Sequence, residues 1–120
     1  MPLHQTLMLR ALVVAAALMA GGCLAFGQDE HSANIWLPGC RGYISDDAVT
    51  NASDAYKQGQ CSGAIGALVA TDPDICPPEG AEVQQAARIA VQYIDSQPAR
   101  LHENFLGLAR DALRAAWPCR

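Results

Sequence analysis

Residues 76–119 read CPPEGAEVQQAARIAVQYIDSQPARLHENFLGLARDALRAAWPC, and two apolar stripes in this stretch decide the fold. From Glu82 to Ile94 the apolar positions Val83, Ala87, Ala90 and Ile94 recur at steps of four, three and four, one face of a helix with 3.6 residues per turn. Gln84, Gln85, Arg88, Gln92 and Asp95 take the opposite face. Pro77 and Pro78 stand ahead of this helix, and Glu79 and Glu82 suit its positive N-terminal end. Pro98 closes it, because the residue before proline avoids the helical region. A second stripe, Leu101, Phe105, Leu108, Ala112 and Ala115, predicts a last helix starting near Pro98 and running to Pro118. With only Ser96-Gln97 between them, the two helices form an antiparallel hairpin.

The hairpin constrains the cysteines. In an antiparallel pair the start of one helix and the end of the next share an end of the hairpin, which predicts that Cys76 pairs with Cys119. Cys40 is left to pair with Cys61. Four cysteines allow three pairings, and no C-x-x-C or H-x-x-x-H spacing favours a metal instead. Structural disulfides are therefore expected, with no metal and no cofactor.

Upstream, Ser53 to Ala70 predicts a helix with Tyr56, Gly63, Ala64, Ala67 and Leu68 on a small-residue face. The spacing Gly59, Gly63, Ala67 would let a partner helix approach closely. Each glycine costs about 1 kcal/mol against alanine in a helix interior, which packing would have to offset. A short first helix is predicted to start at Pro38, within Trp36 to Ile44. Asp46 to Asn51 and Thr71 to Asp74 read as loops. No segment alternates with the two-residue period of a half-buried strand, so the expected architecture is all-α, a small bundle of about four helices with two disulfides.

The N-terminus reads as an export signal. Ala11 to Ala20 is a ten-residue apolar core behind Arg10, followed by Gly21 and Gly22. It is too short for a bilayer span, which needs about 20 apolar residues. Residues 1–27 are expected to be a cleaved signal peptide, 28–33 a short polar leader, and 34–120 the folded domain. Lipidation of Cys23 is the alternative form of processing. Either route removes Cys23 from disulfide chemistry and leaves an even number of thiols for a periplasmic, oxidising compartment.

Composition narrows the function. The 120 residues carry a formal charge of −4, with one lysine, Lys57, and 6% aromatic residues. That leaves no basic stripe for nucleic acid or anionic lipid, so membrane contact is expected only if Cys23 is lipidated. No serine lies in a nucleophile elbow, Gly63 to Gly66 lacks the lysine of a phosphate loop, and neither His31 nor His102 has a visible partner. No catalytic residue is assigned, and the chain is not expected to be an enzyme. Candidate contact residues for a protein partner are Asp72 and Asp74, acids able to steer association, with Trp36, Tyr56 and Arg88 as anchors.

The order of signal peptide, Cys40, Cys61-Ser62-Gly63-Ala64-Ile65-Gly66, Cys76-Pro77-Pro78, Val91 to Pro98, and Ala112 to Cys119 resembles the Rap/Tai family of resistance-associated and type VI secretion amidase immunity proteins. The likeness covers residues 34 to 119. It implies a small, exported, disulfide-containing helical protein, often a homodimer, that binds and blocks a secreted peptidoglycan amidase. Gly63-Ala64-Ile65 stands where such proteins usually carry Gly-Tyr-Ile. A periplasmic envelope-stress or acid-stress binding protein is the alternative with the same physical requirements.

Overall fold

The computed structural model describes residues 29–120 and, before them, Gln5, so Cys23 and the rest of the segment expected to be a signal peptide lie outside the described residues. Among the described residues four α-helices follow one another: α1 (Ala33–Ile44), α2 (Ala52–Thr71), α3 (Val83–Asp95) and α4 (Phe105–Ala116), with a 3-10 turn, Pro98–Arg100, between α3 and α4. The described residues contain no strand ladder; Ser32 and Asn104 form an isolated bridge. The all-α bundle is as the periodicity predicts.

The core is one cluster drawn from all four helices. Leu37 and Cys40 from α1, Cys61 and Ile65 from α2, Ala87, Ala90 and Ile94 from α3, and Phe105, Leu108 and Leu113 from α4 meet there. Both disulfides close as predicted, with Cα separations of 5.2 Å for Cys40–Cys61 and 5.1 Å for Cys76–Cys119. By the chain-entropy argument, loops of these sizes restrict the unfolded chain by about 3–4 kcal/mol each.

Three features differ from the sequence reading. First, α1 starts at Ala33 and carries Pro38 inside it. The opening amides of a helix have no partner within it. Here the Ala33 N–H donates to the Glu103 carbonyl at 2.9 Å and the Asn34 N–H to the Leu101 carbonyl at 3.0 Å, so the connection before α4 caps α1. Residues read as a polar leader are therefore built into the body from Asp29 on: the Phe105 N–H donates to the His31 carbonyl at 2.8 Å.

Second, the last helix starts at Phe105 rather than near Pro98. Pro98 opens the 3-10 turn, and the Asn104 side chain accepts the Gly107 N–H at 3.1 Å as the true cap of α4. Leu101 and His102 consequently lie in the connection. Phe105, Leu108 and Ala112 are buried as expected, but Ala115 is exposed and Ala109, Leu113 and Trp117 complete the face.

Third, α2 turns its small stripe away from the core. Cys61, Ile65 and Leu68 are its buried positions, while Gly63 and Ala67 are exposed. A Cβ built at Gly59 or Gly63 would meet nothing within 4 Å, so neither glycine serves a close approach inside the fold. The close approach belongs to α1, where Gly39 lies against the Lys57 backbone. Since the cost at 59 and 63 is not offset internally, Gly59→Ala and Gly63→Ala are each expected to stabilise the protein by about 0.5–1 kcal/mol. Urea unfolding midpoints that stayed put or fell would count against this packing.

Candidate binding surface

Asp72 ends α2 and begins the segment that returns to α3. Its carboxylate lies 3.0 Å from Arg110 Nε and 3.0 Å from an Arg114 guanidinium nitrogen, with the side chain only 5% exposed. The Asp74 N–H donates to it at 2.9 Å. That backbone bond first, then Arg114 and Arg110, hold the Asp72 carboxyl below the usual carboxylate range against the opposing effect of desolvation. Asp74 is 68% exposed but pairs with the same Arg114 at 3.1 Å.

Two residues further on, the Cys76 N–H donates to the Trp117 carbonyl at 2.9 Å. Residues 72–76 are thus strapped to the end of α4. The two acids expected to face a partner meet arginines of their own chain, which an i, i+4 arginine pair on α4 could have signalled. Their charge is compensated locally.

A second network ties α3 to α4. The Arg100 guanidinium donates to both Glu103 oxygens, at 2.9–3.1 Å, to the Tyr93 hydroxyl at 3.3 Å and to Asp111 at 3.4 Å. Hydrogen bonding from Arg100 holds the Glu103 carboxyl below its ordinary value. Asp72 and Glu103 have lowered folded-state values, so their contribution to stability is full above the ordinary carboxylate range. It is lost as the pH falls through those lowered values. Sequence reading missed this network because its members lie on the connection and on two helices.

The expected anchors separate into different environments. Trp36 is half-buried, its ring stacked on Phe105 at 5.2 Å between centroids, and its Nε1–H donates to the Glu30 carbonyl at 3.1 Å. It is a packing residue. Tyr56 is 70% exposed, on the uncharged solvent face of α2 with Ala52, Gly59, Gly63 and Ala67. Arg88 is exposed on α3, and its guanidinium donates to the Ile44 carbonyl at a long 3.5 Å. The structure does not bring Tyr56 and Arg88 together with Asp72 into one site.

A different set of acids, read from the sequence as solvated-loop and helix-start residues, stays unpaired. Asp46 and Asp47 follow α1, and Glu79 and Glu82 precede α3; none makes an ion pair among the described residues. A groove of about 260 Å³ runs between α1, the connection after it and the first turns of α2, with Gly42, Asp47, Val49, Asp54 and Lys57 in its walls. No group of three or more His, Cys, Asp and Glu is placed to hold a metal among the described residues. None of the described helices is long and apolar enough to cross a membrane.

These features define a class: a small helical domain stapled by two disulfides, with acidic connections and an uncharged exposed helix face. A family model described as Rap1a immunity proteins matches residues 32–119, and the chain belongs to that family. The resemblance seen in the cysteine and proline pattern is therefore correct, and membership implies binding to a secreted effector. Comparison with curated proteins and with solved structures found no match in either.

Proposed function

We propose that the protein is an exported, periplasmic immunity protein that binds and inhibits a type VI secreted peptidoglycan amidase. The match to immunity proteins over residues 32–119 carries this reading. Two further features support it. The ten-residue apolar core at Ala11 to Ala20 suits export, and the two disulfides suit an oxidising compartment where a wall hydrolase acts. An inhibitor of such an enzyme needs a surface and no reacting group of its own.

In this reading Tyr56 is the principal anchor, because it offers a large, exposed aromatic side chain on a helix face it shares with Ala52, Gly59, Gly63 and Ala67. Arg88 is the second. Asp46, Asp47, Glu79 and Glu82 take the steering role, since Asp72 and Asp74 are neutralised by Arg110 and Arg114. The amidase would then present basic residues around its cleft.

Co-expression of the exported chain with secreted amidases encoded near its gene should rescue cells from lysis and yield a complex on size exclusion. With the cognate enzyme, Tyr56→Ala should speed dissociation by about 30-fold or more. Joint change of the four acids to their amides should slow association and flatten its salt dependence while leaving dissociation nearly unchanged. No rescue and no complex with any neighbouring amidase would end the amidase reading and favour the envelope-stress alternative.

A further inference from the structure

We infer that Cys76–Cys119 is a site of reversible thiol–disulfide exchange, opened in the folded protein by a dithiol reductase, while Cys40–Cys61 stays closed. The inference does not depend on the effector. Cys40 and Cys61 are each 1% exposed inside the core, beyond the reach of an attacking thiolate. Cys76 and Cys119 are both exposed. Beside them lies an open hollow of about 470 Å³ lined by Cys76, Pro78, Ala116, Trp117, Pro118 and Arg120. The hollow gives a reductant a way in beside Cys76, where a thiolate can attack.

The fold around this disulfide is built to outlast it. Ile75 and Trp117 are buried, the Cys76 N–H bonds the Trp117 carbonyl, and Asp72 grips Arg110 and Arg114. With the S–S bond cut, these contacts still hold residues 72–76 against α4. The second disulfide still joins α1 to α2.

The exchange runs in two displacements. A reductase thiolate attacks one sulfur of the pair, forms a mixed disulfide and expels the other sulfur as a thiolate. The second reductase thiolate then attacks its own partner sulfur, closes the reductase disulfide and releases the remaining cysteine. Two electrons pass from the dithiol to the cystine, and the two protons end on Cys76 and Cys119.

The test treats the purified chain, both disulfides closed and no denaturant present, with graded dithiothreitol and then with a purified dithiol reductase. Free thiols are trapped by alkylation and mapped by peptide mass. Two alkyl groups should appear on Cys76 and Cys119 while the helical circular dichroism is kept, and release from Cys40 and Cys61 should be at least about 100-fold slower because it requires core opening. Simultaneous or earlier labelling of Cys40 and Cys61, or labelling only as helicity is lost, would overturn the inference. A Cys76→Ser, Cys119→Ser double variant should keep the native spectrum with its remaining disulfide; an unfolded double variant would also overturn it.

Discussion

Phe105→Ala should cost about 3–5 kcal/mol and leave much of the protein unfolded at 37 °C. The ring has no exposed surface and lies at the first position of α4, where its loss opens a cavity bounded by a helix start that cannot slide. That start is fixed twice, by the Asn104 cap and by the bond from the Phe105 amide to the His31 carbonyl. The stack on Trp36 goes with it; such pairs contribute about 0.5–1.5 kcal/mol beyond their buried area. The loss therefore spreads to α1, whose first amides depend on Leu101 and Glu103 just before Phe105. Urea unfolding followed by circular dichroism measures it, with exposed His102→Ala as a control expected within about 0.5 kcal/mol of the parent. A cost under about 1 kcal/mol for Phe105→Ala would show that this junction does not organise the bundle.

What was legible in the chain follows from how local each cause is. The α3 stripe, Val83, Ala87, Ala90 and Ile94, needs only its own period; the structure buries the last three, while Val83 at the helix start is 37% exposed. The disulfide pairing needed one step more, the antiparallel return of α4 on α3, which two prolines and a short connection signal. The start of α1 was not legible, because its amides are satisfied by carbonyls about seventy positions away and Pro38 is a stronger local signal than either. The same distance hid the role of Asp72. An aspartate in a short loop looks solvated until Arg110 and Arg114, a helix away in sequence, are placed across from it. The family was legible through pattern rather than chemistry: the order of cysteines and prolines pointed to it, whereas no single side chain would have done so.

The glycines make the sharpest division between the sequence reading and the fold, and Gly39→Ala should destabilise the protein by about 1–3 kcal/mol. A Cβ at position 39 would stand 2.7 Å from the Lys57 carbonyl oxygen and 2.9 Å from both its carbonyl carbon and its Cβ. The obstacle is mostly backbone, which cannot rotate away. Nor can α2 retreat as a body, because the adjacent Cys40 is bonded to Cys61 one turn beyond Lys57. Alanine's better helix propensity returns about 1 kcal/mol, so the steric cost has to exceed that for the sign to be negative, and contact at this distance with fixed atoms does. Gly42 supplies the internal control. There a Cβ would meet only the Gln58 side chain, 2.8 Å from its amide nitrogen, and a flexible end can swing aside, so Gly42→Ala should be near neutral. With Gly59→Ala and Gly63→Ala stabilising, the four substitutions should order as Gly39 below Gly42 below the α2 pair in unfolding midpoint. An unchanged or raised midpoint for Gly39→Ala would mean that α1 and α2 are farther apart than their disulfide and this contact require.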